Sequence, residues 1–209
     1  MRLRLLVPAV LAVSLIGVDA GVGFSGVPSP TNSSVDPCVV FCPTADLTFH
    51  VTVRDLANNP VANSTVVLDF GTCPGLQVCS IVGPGIVWDP VPRTMRMTAD
   101  AAGQAFFTAH AGGVCANSVR VFADGVQLTS GGLTLTSPDQ DGSLVVNFAD
   151  VAIVNGKTSS PYDPTADLNC NGVVDANDVA FVQAHYAHGC TGPVGVEPQG
   201  WGRLKTIYR

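Results

Sequence analysis

Asp167, Asn169, Asn171, Asp175 and Asp178 carry side-chain oxygen at the first, third, fifth, ninth and twelfth positions of one short stretch, with Gly172 at the sixth. A hard cation such as calcium takes about six to eight oxygens, and a short loop supplies them by turning alternate side chains inward around a glycine bend. On this frame Val173 offers only its backbone carbonyl. The departure is Asp178, which stands where a bidentate Glu is usual; its shorter arm still brings two oxygens if the following helix sits closer. The competing reading is an Asx-rich turn ahead of a helix, with Asp175 or Asn177 as its cap.

The same frame fits upstream. Asp139, Asp141 and Ser143 fall at the first, third and fifth positions, Val145 at the carbonyl position, and Asn147 and Asp150 at the ninth and twelfth. Here Leu144 occupies the glycine position, which puts a side chain at the sharp bend, and Gly142 stands two residues earlier. The ligand spacing therefore survives and the turn residue does not.

Each loop runs into a short helical pattern: Val151 and Val154 after the first, Val179, Val182 and Tyr186 after the second. The segments ahead of them, Thr134-Leu135-Thr136-Ser137-Pro138 and Pro161-Tyr162-Asp163-Pro164, are poor helix material. The units are thus loop then helix. This duplicated arrangement, from about Ser137 to Cys190, resembles the dockerin module of secreted bacterial proteins. The resemblance implies two bound calcium ions, a pair of antiparallel helices, and docking onto a cohesin-type or cell-surface partner, in settings that include polysaccharide-degrading assemblies. It also implies that the tenth and eleventh loop positions, here Phe148, Ala149 and Ala176, Asn177, help to choose the partner.

Upstream, Leu47–Arg54 alternates apolar and polar residues as a half-buried strand does. Further strand-like runs follow at Thr65–Phe70, Arg93–Thr98, Gln104–His110, Ser118–Phe122 and Gln127–Thr136, separated by turns such as Asp100-Ala101-Ala102-Gly103. Short strands with regular turns and no helical period predict a mainly β, antiparallel sandwich. With Val53-Arg54-Asp55, Asn59-Pro60-Val61-Ala62-Asn63 and Thr98–Ala105, residues 44–136 resemble bacterial immunoglobulin-like repeats of the invasin and adhesin type. That likeness speaks to fold more than to role. The expected organisation is a signal peptide at 1–20, a flexible leader at 21–43, the sandwich at 44–136, the calcium-binding module at 137–190, and a linker with a C-terminal tail at 191–209.

Hydrophobic residues make up 46% of the 209-residue chain and support a packed core, whereas charged residues make up only 12%, with a net charge of −6. The segment from Asp139 to Cys190 holds seven Asp against Lys157, so the acidity lies where cations would bind. Nucleic acid is an unsuitable partner, because no basic face is available to replace phosphate counterions. Arg2 and Arg4, the apolar run Leu5–Val18 and then Asp19-Ala20 read as a secretory signal cleaved after Ala20, too short for a stable membrane span. The basic, aromatic end Trp201–Arg209 reads as a sorting tag or a frayed terminus.

Export turns the seven cysteines into candidate disulfides. Cys170–Cys190 would fold the second helix back over its loop, and Cys73–Cys79 would close the insertion Gly71–Ser80. Cys38, Cys42 and Cys115 then leave one cysteine unpaired or paired between chains. His185, His188 and Cys190 with Cys170 form an alternative zinc set, weaker than a disulfide flanked by two exposed histidines. Catalysis is poorly supplied: Glu197 is the only glutamate and lies in the linker, and there is no Gly-x-Ser-x-Gly elbow or phosphate loop. The expected function is a secreted, non-catalytic, calcium-dependent docking protein. The alternative is a structural adhesin or envelope protein that calcium only stabilises. A carbohydrate-binding role lacks an aromatic platform, since Trp88 is the single tryptophan of the β region.

Overall fold

The computed structural model describes residues 26–190; the expected signal segment (1–20) and the linker and tail (191–209) lie outside the described residues. The chain forms β1 (Ser34–Val35), β2 (Val39–Val40), β3 (Phe49–Thr52), β4 (Thr65–Asp69), β5 (Gln77–Val78) and β6 (Val87–Asp89). It continues through β7 (Thr94–Thr98), β8 (Gln104–Phe107), β9 (Ala111–Gly112), β10 (Cys115–Ala123), β11 (Val126–Gln127) and β12 (Leu133–Thr136), and ends in α1 (Phe148–Lys157) and α2 (Ala176–Ala184). It is mainly β, with largely antiparallel sheets and two short helices.

The larger sheet runs β2-β12-β10-β4-β7-β6, with β11 paired to the end of β10; a second runs β1-β3-β8, and β5 pairs β9 as a small ribbon. Period-two burial explains why these segments are strands. In β4, Val66 and Leu68 are fully buried while Thr65 is exposed, and Leu68 lies opposite Val121 of β10 and Met95 of β7, both also fully buried. Phe49, Val51, Ala105 and Phe107 of the three-stranded sheet join Val66, Leu68, Met95, Val121 and Leu135 of the larger one in a single buried cluster. Phe41 packs on Phe70 and Phe49 on Phe107, with ring centroids 6.2 and 6.4 Å apart. Each such side chain taken out of water contributes about 1.5–3 kcal/mol.

The expectation of a flexible leader over 21–43 is corrected from residue 28 onward. Pro28 bridges Asp55, β1 pairs β3, and β2 pairs β12 in parallel. Val39, Phe41 and Cys42 are fully buried. The Gly- and Pro-rich residues before it conceal that Cys38–Cys42 is an apolar run, and apolar runs of that length bury themselves where a sheet edge is open. Tyr186, expected on the helical face of α2, falls beyond its end and is exposed.

Both expected disulfides are also corrected. Cys170 pairs with Cys38 and Cys190 with Cys79, while Cys73 pairs with Cys115, at Cα separations of 6.2, 5.8 and 5.5 Å. Cys42 is left as a buried free thiol. The neighbours in sequence, Cys73 and Cys79, are drawn apart because β5 lies between them and pairs with β9. Two of the three bridges therefore cross from the β body into the helical segment, and the zinc set built on Cys170 and Cys190 has lost both thiolates.

That segment has its own core of Val146, Val154, Ala166, Leu168, Val174 and Val182, to which Cys42 contributes from the N-terminal side. It closes on itself by an unforeseen pairing. Val146 donates to His188 O, Ala187 to Val146 O and Cys190 to Leu144 O, so residues 187–190 lie as a strand-like strip against the first loop. Peptide mapping under non-reducing conditions should recover Cys38–Cys170, Cys73–Cys115 and Cys79–Cys190, with Cys42 alone alkylated after unfolding. Replacing Cys38 and Cys170 together by Ser should lower the unfolding free energy by about 3 to 5 kcal/mol, because that bridge closes the longest loop.

Candidate metal centre

In the second loop the acid at the first position organises the backbone. The Asp167 carboxylate is buried and accepts from Asn171 N at 3.1 Å, Gly172 N at 2.7 Å and the Tyr162 hydroxyl at 2.9 Å. The acid at the twelfth position closes the turn from the other side: Asp178 is fully buried and accepts from Leu168 N at 2.8 Å and Asp175 N at 2.8 Å. Asn169 and Asn171 turn their side-chain oxygens to Asn171 N and Val173 N, respectively. Asp175 is the N-cap of α2, with Asp178 completing a capping box. Both parts of the competing reading are therefore present in this stretch: Asp175 caps α2, and Asp167, Asn169 and Asn171 accept backbone N–H bonds as an Asx-rich turn does.

The first loop repeats the bonds of its first and twelfth acids to the backbone, 28 residues earlier. Asp139 accepts from Ser143 N at 3.0 Å and Leu144 N at 2.9 Å; Asp150 accepts from Gln140 N at 2.7 Å and Asn147 N at 2.8 Å; Asn147 caps α1. The bend residues also correspond, with one exchange. The fourth and sixth positions of both loops are left-handed: Gly142 and Leu144 at φ of 70° and 64°, Cys170 and Gly172 at 57° and 87°. Each loop thus has one glycine and one residue with a side chain at the two strained positions, in opposite order. Leu144 is accommodated rather than disruptive.

Oxygens converge in the first loop. One carboxylate oxygen each from Asp139, Asp141 and Asp150 lies within 4.8 Å of the others. The Ser143 hydroxyl reaches both Asp139 and the Val145 carbonyl, and the Asn147 amide also donates to Val145 O at 3.1 Å. Of the six residues expected from the spacing, the three acids converge, while Ser143 and Asn147 direct hydrogen bonds to the Val145 carbonyl. In the second loop Asp167, Asp175 and Asp178 do not form such a triad among the described residues; Asn169 and Asn171 stand at its third and fifth positions, and Val173 is half exposed at the carbonyl position. A cleft of about 470 Å³ opens beside it, lined by Tyr162, Asp167, Cys170, Gly172, Cys38 and Leu133.

The electrostatics are unbalanced. The one lysine of the segment, Lys157, is committed to Asp163 at 2.9 Å, and the segment has no arginine. Burial pushes the Asp139 carboxyl up to about 6; the Leu144 N–H works against this, and Asp141 and Asp150 add to it. Asp141 goes the other way: partial desolvation is outweighed by hydrogen bonds from Ser143, which hold it below the ordinary carboxylate range. Buried carboxylates without a cationic partner are costly unless a cation or a proton neutralises them.

Two features escaped the spacing argument. Tyr162 completes the shell of Asp167, and nothing in Pro161-Tyr162-Asp163-Pro164 marks it, because the first loop has no counterpart. Cys42, Asp46 and His188 also place their ligand atoms within 4.8 Å of one another, across more than a hundred residues of sequence. No protein-family model, curated protein or solved structure matches the chain.

The Asp139 shift has a definite sign. A carboxyl whose folded pKa is raised above its unfolded value stabilises the fold fully only when protonated, and that contribution is lost as pH rises through the folded pKa. In the presence of chelator, the unfolding free energy should fall between about pH 4 and about pH 6 by on the order of 2 kcal/mol. Denaturant titrations across that range should show the slope removed in Asp139→Asn.

Proposed function

We propose that this chain is an exported, non-catalytic calcium-binding protein, in which an immunoglobulin-like β-sandwich carries a dockerin-like module that two calcium ions order for docking. The observation that carries the reading is the repeated pair of buried carboxylates, Asp139 with Asp150 and Asp167 with Asp178, held by the same backbone bonds in two loops that have no cationic partner among the described residues. Calcium chemistry fits the donor set, which is oxygen throughout: carboxylate, amide, hydroxyl and carbonyl. In the first loop the ligands would be Asp139, Asp141, Ser143, Val145 O, Asn147 and Asp150. In the second they would be Asp167, Asn169, Asn171, Val173 O, Asp175 and Asp178. Three disulfides support export. Among the described residues no helix is long and apolar enough to cross a membrane.

For docking, the supporting feature is Phe148, which opens α1 at the tenth position of the first loop with 72% of its surface exposed. A phenylalanine left in water at the start of a helix beside Ala149 suits a hydrophobic anchor for a cohesin-type or surface partner. The second reading, a structural adhesin or envelope protein, draws on the bridges Cys38–Cys170 and Cys79–Cys190. They fasten the module to the β body, so that calcium would serve as one more staple.

Calorimetric titration of the metal-free protein should give two calcium equivalents, falling to one when Asp167 and Asp178 are both changed to Asn. At a hundredfold excess over Kd, binding should add about 2.7 kcal/mol to stability; no uptake in either loop would refute the proposal. Capture of a surface or secreted protein in calcium, lost in EDTA and in Phe148→Ala, would favour docking. Equal capture in all three conditions would favour the structural reading.

A further inference from the structure

The N-terminal strip and the end of the helical segment meet at a second cluster whose donors differ in kind from those of the loops. Cys42 Sγ lies 3.7 Å from His188 Nδ1, and His188 Nδ1 lies 3.1 Å from Asp46 Oδ2. His185 Nε2 approaches the same carboxylate oxygen at 3.5 Å. With Zn–S near 2.3 Å and Zn–N near 2.0 Å, the edges of a tetrahedral site are about 3.3 to 3.6 Å, so the Cys42–His188 and His188–Asp46 separations are close to those of ligands around a common centre, with His185 just outside that trio beside Asp46.

The donors also meet the Thr44 hydroxyl, which lies 3.3 Å from Cys42 Sγ and 3.0 Å from His188 Nδ1 and would turn aside for an ion to enter. The His185 Nδ1 lies 2.7 Å from the Phe181 carbonyl. A carbonyl only accepts, so Nδ1 carries the proton and Nε2 keeps its lone pair. Phe181 also stacks on the ring, with centroids 4.7 Å apart. Thr44 donates to Asp46 Oδ1 at 3.0 Å, leaving Oδ2 to the histidines. His188 is held by the strip pairing, in which its carbonyl accepts from Val146 N. Cys42 is fully buried, while Asp46 keeps a third of its side chain in solvent and gives an ion a way in.

A thiol-histidine-aspartate relay is the obvious competing use, and the geometry does not provide it. One nitrogen, Nδ1 of His188, faces both the thiol and the carboxylate, whereas a relay needs the two partners on opposite ring nitrogens. Burial also pushes the Cys42 thiol up to about 12, far from a free thiolate.

We propose that Cys42, Asp46 and His188, with His185 as the fourth donor, form a binding site for zinc or a similar borderline transition metal. The ion would be held by one sulfur, two nitrogens and one oxygen. On binding, the Cys42 S–H bond breaks, its proton passes to solvent and its electron pair becomes the metal–sulfur bond, so thiolate and carboxylate together balance a dication. The site is distinct from the calcium loops, whose donors are all oxygen, and does not depend on them. It would also account for a cysteine kept reduced in a chain whose other six cysteines pair.

The full chain, freed of metal and then given excess calcium, should be titrated with Co²⁺. One equivalent should bind, with a thiolate-to-cobalt charge-transfer band in the near ultraviolet and the intense visible bands of tetrahedral cobalt, and Zn²⁺ should displace it. Cys42→Ser should remove the charge-transfer band. Asp46→Asn, a change at a partly exposed side chain that should leave the fold intact by circular dichroism, should weaken cobalt affinity by about tenfold or more. Failure of cobalt to bind, uptake without a thiolate band, or unchanged affinity in Asp46→Asn would overturn the proposal and leave an ordinary His–Asp ion pair beside a buried thiol.

Discussion

The C-terminal third of the molecule depends on four carboxylates that are out of water and have no cationic partner among the described residues. Asp139, Asp150, Asp167 and Asp178 each accept two or more hydrogen bonds, most from backbone N–H groups, and those bonds are what bend the two loops and start the two helices. An acceptor-only group placed inside a turn satisfies donors that a helix N-terminus otherwise leaves orphaned. The same placement concentrates negative charge in a volume that water cannot screen. Local order and electrostatic tension thus come from the same atoms, and a divalent ion is the simplest way to keep the first while relieving the second.

The β body shares in this arrangement. Asp139 O accepts from Gly113 N, and a Cβ on Gly112 would collide with the Asp139 carboxylate, so β9 approaches the first loop as closely as a glycine allows. Thr136 and Gln140 both donate to Thr165 O, tying the exit of β12 to the entry of the second loop. The boundary expected near Ser137 is therefore a change of secondary structure without a spacer.

Periodic features were legible in the sequence. The longer strands β3, β4, β7, β8 and β10 announced themselves because a half-buried strand writes its exposure as alternation, and the two matched loops did so because side-chain-to-backbone bonds within a turn fix the spacing of acids and amides at short range. The two-residue strands β1, β2, β5 and β9 were not legible, since two residues carry no period; they exist because longer neighbours offer them an edge. Disulfide partners were misread for the same reason. Cys73 and Cys79 lie close in sequence, but the ribbon between them sends one toward Cys115 in the core and the other toward Cys190. Tyr162 and the Cys42 cluster are products of tertiary assembly, and only a folded chain brings residues 42 and 188 together.

The crossing bridge between Cys38 and Cys170 gives the molecule a particular mechanical character. If the chain is pulled from both ends, tension entering at Cys38 passes through sulfur to Cys170, and because Cys190 is itself bridged to Cys79, stretching the segment from Cys170 to Cys190 also draws Cys79 away from Cys38 and loads the strands between them. The nineteen residues between Cys170 and Cys190 set the reach of that first extension, which at about 3.5 Å per residue spans no more than roughly 70 Å. Those residues are most of the second loop, α2 and the strip beyond it. Ions seated there would act as a clutch on that first stage, before the load reaches the strands through Cys79.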